Sequence, residues 1–229
     1  MENVNIQIIA RMKSDFSSKF GIPRQSGLVQ ELQSTIVFEP EFRNTDALRG
    51  IEDFSHLWLI WQFSEAVRSG WSPTVRPPRL GGNTRLGVFA TRSPFRPNNL
   101  GLSSVRLLGI EHTIEFGTVI HVAGADLMDG TPIFDIKPYI PYADSHADAT
   151  GGFTDVAKDY ILDVVFPENL LALLPQEKRS AAIGVLSHDP RPSYQKDSNR
   201  VYGLSFAGLD IHFQVHDRVL TVLDINTKK

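Results

Sequence analysis

Three short stretches of this chain carry residue types able to do chemistry. "FGIPRQSG" (20–27) sets Pro23, Arg24 and Gln25 on a loop. "ATRSPFRPNNLG" (90–101) places Arg92 and Arg96 around Phe95, with the amides Asn98 and Asn99 after them. "GADLMDGTPIFDIKPY" (124–139) brings Asp126, Asp129 and Asp135 to a Gly-Thr-Pro turn followed by Lys137. A guanidinium fork binds planar anions through two parallel hydrogen bonds. A carboxylate takes amines and hydroxyls, or accepts a proton. Arg, Phe and Asn interleaved on a loop suit stacking and hydrogen bonding to an unpaired base. Each stretch also has a plainer reading. The arginines can form structural ion pairs, and Asp129-Gly130 is a strong turn signal.

Charge is distributed unevenly. The net charge is −3, so no global field draws the protein to nucleic acid or to an anionic membrane. Yet no acidic residue lies between Glu65 and Glu111, and that interval holds seven Arg and no Lys. Residues 111–229 hold 17 of the 26 acids. A merely solvated face would accept Lys, whereas Arg alone supplies the planar fork and stacks on rings.

Several chemistries are excluded. With no Cys there is no disulfide, thiolate site or Cys nucleophile. "GGNTRLG" (81–87) is neither G-x-G-x-x-G nor a P-loop, and it does not join a strand to a helix. "ATRSPF" is not a G-x-S-x-G nucleophile elbow, which ranks a Ser–His–Asp hydrolase low without excluding it. The seven His are scattered, and His212 and His216 fall in a strand pattern, where a spacing of four does not make the helical one-face pair. No metal site is expected. The N-terminal "MENVNIQIIARMKS" lacks the pattern of a signal peptide, and the longest apolar run, 57–63, is too short to span a bilayer. A soluble cytoplasmic protein is expected.

The elements that must position these residues read as short strands over the first ~140 residues, at 4–11, 34–38, 56–63, 85–91, 102–110, 118–122 and 132–138. The 56–63 run, nearly all apolar, suits a strand covered on both faces. "TDALRGIEDF" suggests a helical turn capped by Thr45 or Asp46. No long amphipathic helix separates the strands, which argues for an antiparallel barrel or sandwich rather than a parallel sheet. Residues 146–160 look like a linker. Residues 161–229 follow with a strand, one helix broken or kinked at Pro175 or else two short ones, and three alternating runs in a meander, forming a small α+β domain.

The clusters resemble the TsaA-like family, also called TrmO. "PRQ" (23–25), "RGIEDFSHLW" (49–58), "GWSPTVRPPRLGGNTRLGVFATRSPFRPNNLG" (70–101) and "DLMDGTPIFDIKPYIPYADS" (126–145) carry the resemblance. It covers about the first 145 residues nearly without gaps. "DPRPSY" (189–194) looks like the motif of the C-terminal extension in bacterial members.

The resemblance implies a mainly β fold, with an N-terminal antiparallel β-barrel methyltransferase domain over 1–145. It implies S-adenosylmethionine-dependent methylation of N6 of threonylcarbamoyladenosine at tRNA position 37, beside the anticodon. It also implies a homodimer with the cofactor near the subunit interface. The cofactor positions carried over are Pro23, Arg24, Gln25, Ser64, Glu65, Arg92, Leu102, Ala123, Gly124, Ala125 and Asp126. Ser64-Glu65 stands where related bacterial members have a His-Gln-like pair. Arg24 or Arg92 is expected to take a carboxylate, and Asp126 or Asp129 to accept the N6 proton. Arg76, Arg79, Arg85, Phe95, Arg96, Asn98, Lys137 and Arg191 are the expected contacts to substrate and RNA. The rival readings are an RNA-binding barrel without catalysis, a small-molecule methyltransferase on the same barrel and, ranked last, a hydrolase acting on an anionic substrate.

Overall fold

The fold starts from alternation along its strands. In β3 (His56–Gln62), Leu57, Leu59 and Trp61 are buried while His56, Trp58, Ile60 and Gln62 lie on a half-covered face. The computed structural model describes residues 4–67, 70–77, 80, 83–157, 160–192 and 197–227. Five further strands build the same sheet: β1 (Ala10–Lys13), β2 (Gln33–Phe38), β6 (Leu100–Thr113), β7 (Gly117–Ala123) and β8 (Pro132–Pro138). They hydrogen-bond in the order β1-β2-β7-β6-β3-β8, every pair antiparallel, and β8 returns to β1, so the ring closes. Its interior holds Met12, Ile36, Leu57, Leu59, Val105, Ile120, Val122 and Ile133, each at most 1% exposed. A two-stranded ribbon, β4 (Thr74–Val75) with β5 (Leu86–Gly87), lies in the long excursion between β3 and β6.

The rest of the chain builds a second core. β9 (Asp163–Val165), β10 (Tyr202–Phe206), β11 (Leu209–His216) and β12 (Val219–Thr227) form a sheet in the order β10-β11-β12-β9. Helix α3 (Arg179–Ser187) buries Ala181, Ala182, Val185 and Leu186 in this core. The short helices α1 (Pro141–Asp144) and α2 (Glu168–Leu171) precede it. Phe16, Val29 and Leu32, from the excursion between β1 and β2, are also members of this second core. Among the described residues, no helix is long and apolar enough to cross a membrane.

Several expectations change. The first strand is Ala10–Lys13, later than 4–11. The run at 85–91 pairs only over Leu86–Gly87, then turns as a 3₁₀ segment, Val88–Ala90. Phe95 and Asn99 follow that turn in a loop stitched by its own side chains, so the stretch carries no further ladder. The cap of the 45–48 turn is Asn44, whose side chain accepts from the Asp46 N–H. β3 is covered unequally. Its outer face meets the segment after β8, where Trp58 Nε1 donates to Asp144 Oδ2 at 3.0 Å and packs on Tyr139. Of the two readings of the stretch around Pro175, the structure has the two short helices, α2 and α3, with a 3₁₀ turn (Gln176–Lys178) between them. Proline lacks the N–H that an uninterrupted helix needs there. β9 joins the meander in parallel, a pairing no hairpin signal announces.

Candidate active site

The site centres on Asp126, just past the end of β7. Its Oδ1 accepts from Ser103 Oγ at 2.6 Å, and Ser103 Oγ in turn accepts from Trp61 Nε1 at 2.9 Å. Ser103 and Trp61 are buried, so an indole and a hydroxyl from the ring interior fix this carboxylate. Burial pushes the Asp126 carboxyl above the ordinary Asp range. The Ser103 hydroxyl, backbone N–H groups and the Arg92 charge oppose that rise without cancelling it. Gly101 makes the arrangement possible. It pairs with Trp61 across β3 and β6, and a Cβ there would lie 2.2 Å from the indole Cε2.

Backbone contact joins the 20–27 loop to this end of β7. Gly27 N–H donates to Gly124 O at 2.8 Å, and Gly124 N–H donates to Leu32 O at 2.8 Å. Gly124 has φ +76°, and a Cβ on it would sit 3.2 Å from Gly27 Cα, so two side-chain-free backbones meet. Gln25 thereby reaches Arg92, whose Nη1 donates to Gln25 Oε1, while Gln25 Nε2 donates to Arg24 O. Arg24 Nη2 donates to Arg191 O at 3.2 Å. Pro23 is buried beside them. Arg24, Gln25, Arg92 and Asp126 thus form one chain of contacts and charge.

The second core holds that loop from behind. A Cβ on Gly21 (φ +87°) would fall 2.1 Å from Leu204 Cδ1, and one on Gly184 would fall 2.7 Å from Val29 Cγ1. Lys178 Nζ donates to Asp15 Oδ2 at 2.6 Å. Arg191 is 9% exposed, forks onto Asp189 at 2.8 and 2.9 Å, and lies 6.0 Å from the Tyr202 ring. Its guanidinium is therefore a buried ion-pair partner behind the loop, which corrects the expectation of an RNA-facing Arg191.

The excursion after β3 is tied differently. Phe63 N–H donates to Asn99 O at 2.9 Å, and Asn99 Nδ2 donates to Pro94 O at 2.6 Å. Arg96 Nη1 donates to Thr91 O at 3.0 Å and Ser93 O at 3.3 Å, so this guanidinium braces its own loop. Ser64 and Glu65 are exposed on a 3₁₀ turn after β3. Arg76, Arg85 and Asn98 are exposed and Phe95 is half-buried. Arg79 lies outside the described residues.

Other expected residues separate from the centre. Asp129 is exposed and its Oδ1 accepts from Ser14 N–H at 3.0 Å, a turn-closing role apart from the Ser103 pairing of Asp126. Lys137 pairs with Asp135 at 2.9 Å. Leu102 is 55% exposed on the opposite face of β6 from Gly101 and Ser103, so its side chain points away from the interior. Ala123 and Ala125 are buried, and they line the stretch through backbone and packing alone. Trp61, Gly101 and Ser103 escape a reading by motif. Their signal is positional: 101 and 103 share one face of a strand, and 61 is the register partner of 101.

The site therefore belongs to a protein that gathers arginines and one half-buried carboxylate at the end of a closed ring of strands. Among the described residues it shows no Gly-rich strand-to-helix phosphate loop. Residues 11–145 match the family model of the tRNA-methyltransferase O N-terminal domain, and residues 159–228 match that of the TrmO C-terminal domain. The chain belongs to this TrmO family. It is 38% identical over 225 residues to the tRNA (adenine(37)-N6)-methyltransferase of Escherichia coli K12, covering 95% of each chain. It is 45% identical over 163 residues to the enzyme of the same name from Eikenella corrodens, covering 71% of this chain and 91% of that one. The crystal structure of TrmO from Pseudomonas aeruginosa superposes with a TM-score of 0.79 at 35% identity, covering 100% of this chain and 99% of that one.

Proposed function

We propose that this chain is an S-adenosylmethionine-dependent tRNA methyltransferase acting on N6 of adenine 37, beside the anticodon, with threonylcarbamoyladenine as the accepted base. Relatives across nearly the whole chain carry the tRNA (adenine(37)-N6)-methyltransferase name. The observation that carries the reading here is the Asp126 carboxylate, fixed by Ser103 and Trp61 and raised in proton affinity by burial. We take 1–145 as the β-barrel catalytic domain, 146–160 as the linker and 161–229 as the C-terminal domain.

The residues fit the cofactor's charges. Arg92 faces a neutral Gln25 oxygen, so a ligand carboxylate in that place would form a charge-assisted bond instead. Asp126 is the matching acceptor for an amine or for ribose hydroxyls. The bare backbones of Gly27 and Gly124 let the 20–27 loop close onto the end of β7 that carries Asp126. When bound, S-adenosylmethionine supplies an electrophilic methyl group.

Asp126 has a further role. N6 of a threonylcarbamoyl base is a urea-type nitrogen, a weak nucleophile until its proton leaves. A carboxylate of raised proton affinity accepts that proton as the nitrogen bonds to the methyl carbon. Ser103 and Trp61 hold the carboxylate oriented, and positioning does the rest of the work. Arg76, Arg79 and Arg85 are taken as the cations that meet RNA, with Asn98 as a further contact. Exposed Leu100, Leu102 and Leu108 on the outer face of β6 support a homodimer. We place the enzyme in the cytoplasm, with its tRNA.

The test is methyl transfer from labelled S-adenosylmethionine to tRNA with and without threonylcarbamoylation. Incorporation only into modified tRNA is expected. Incorporation into neither, with intact tRNA binding, would mean an RNA-binding barrel. Activity on a small acceptor without RNA would mean the small-molecule reading.

A further inference from the structure

Two large aromatic rings stand in water on the arginine-rich excursion. Trp71 is 53% exposed and Phe89 is 72% exposed. Their ring centroids are 6.0 Å apart at 30°, so they stack on each other. Backbone geometry brings them together. β4 and β5 pair Thr74 with Gly87, and Val88 N–H donates to Pro73 O at 2.9 Å, which sets 71 and 89 at the same end of the ribbon. Toward the other end, Arg76 and Arg85 flank the Val75–Leu86 pair and line one cleft with Ser72, Thr74 and Val75. Among the described residues neither arginine forms an ion pair, and no acid lies anywhere in 66–110.

An exposed aromatic stack is an apolar liability unless a partner covers it. Its setting selects the partner. A protein surface seeking apolar contact gains nothing from unpaired arginines that must be desolvated alongside. A nucleotide satisfies both features, with its base on the ring and its phosphates on the guanidiniums. We propose that Trp71 and Phe89 form a stacking platform for an unpaired base of the tRNA anticodon loop, extended by one base at the outer face of the pair, with Arg76 and Arg85 holding the adjoining phosphates. This rests on the tRNA reading above and adds the surface that grips the loop. Phe95, the aromatic that the sequence pattern singles out, is half-buried in its own loop and offers less face.

The experiment compares wild type, Trp71→Ala/Phe89→Ala and Trp71→Phe in methyl transfer to threonylcarbamoylated tRNA. In parallel, an anticodon stem-loop carrying 2-aminopurine at successive loop positions reports stacking by quenching. The double alanine variant should raise KM for tRNA about tenfold, as the loss of one base–aromatic stack does. It should leave KM for S-adenosylmethionine and the melting temperature unchanged, and it should lose the quenching at one loop position. Trp71→Phe should recover most of both. An unchanged KM for tRNA with undiminished quenching overturns the platform, as does a loss of activity that tracks a change in subunit mass by sedimentation. Failure of the wild type to methylate tRNA at all would instead sink the underlying functional reading, and the two failures are thereby separated.

Discussion

Two excursions leave the ring of strands, and they are held in opposite ways. Residues 14–32, between β1 and β2, are clamped on both sides: Gly27 meets Gly124 at the ring, while Phe16, Val29 and Leu32 are buried in the second core. The described residues of 63–99, between β3 and β6, are held mainly by their own hydrogen bonds, such as Arg96 to Thr91 and Asn99 to Pro94. Their ribbon is two residues long on each strand. The first arrangement suits a small ligand whose contacts must be placed finely. The second suits a large, variable polyanion, for which projecting side chains and adjustable backbone serve better.

The contrast can be broken most sharply at the carboxylate that the clamped loop covers. Asp126→Asn should lower kcat by about 10²–10⁴-fold, the usual worth of a general base. The fold should not suffer. Burial raises the Asp126 carboxyl, so the native state keeps its proton to higher pH than the unfolded chain, and stability from this group falls as pH rises through the raised value. Above it the ionised group is a cost that Asn removes, and thermal unfolding at pH 7–8 should be unchanged or higher. The same sign places the acid limb of kcat above the ordinary Asp value of about 3.9. A limb at or below that value would remove Asp126 as the base.

Next in size is Gly101→Ala. Its Cβ collides with the Trp61 indole, and overpacking of this kind costs about 1–3 kcal/mol. Denaturant unfolding should show that loss, and kcat should fall with it because Ser103 and Asp126 lose their anchor. Stability loss without a kcat effect would uncouple the indole from the carboxylate.

On the other excursion, Arg76→Gln/Arg85→Gln should weaken tRNA binding and make the slope of log K against log salt shallower by about 2, one per phosphate contact. Unfolding should move by less than about 0.5 kcal/mol, as for exposed surface changes. An unchanged salt slope would show that these arginines do not meet phosphate. The smallest effect belongs to Lys178→Met, which removes the Asp15 pair on the clamped side. About 0.5–1 kcal/mol of stability should go, with a modest rise in KM for S-adenosylmethionine.

What the sequence disclosed follows the same division. Strands with clear alternation, such as 34–38, 118–122 and the C-terminal meander, are legible because each needs only its own period. The parallel β9–β12 pair and the burial of Phe16, Val29 and Leu32 in a distant core are long-range facts that no local window contains. In the site, Arg24, Gln25, Arg92 and Asp126 are visible by type and clustering. Trp61, Gly101 and Ser103 act through register and volume, and they look like ordinary strand residues until β3 and β6 are paired. Arg96 and Arg191 mislead for a physical reason: a guanidinium on a carbonyl or beside a buried acid has the same letter as one awaiting a ligand.

The shared second core also dictates an order of assembly. Chains emerge from the ribosome N-terminus first. Phe16, Val29 and Leu32 are made early, yet the core they join also contains Phe213, Val215 and Leu220, which are made much later. The strands of the ring can pair while translation continues, but the loop bearing Arg24 and Gln25 gains its backing only once β11 and β12 have been made. A nascent chain stalled short of β11 would hold the whole ring while residues 14–32 still lacked the second core that clamps them.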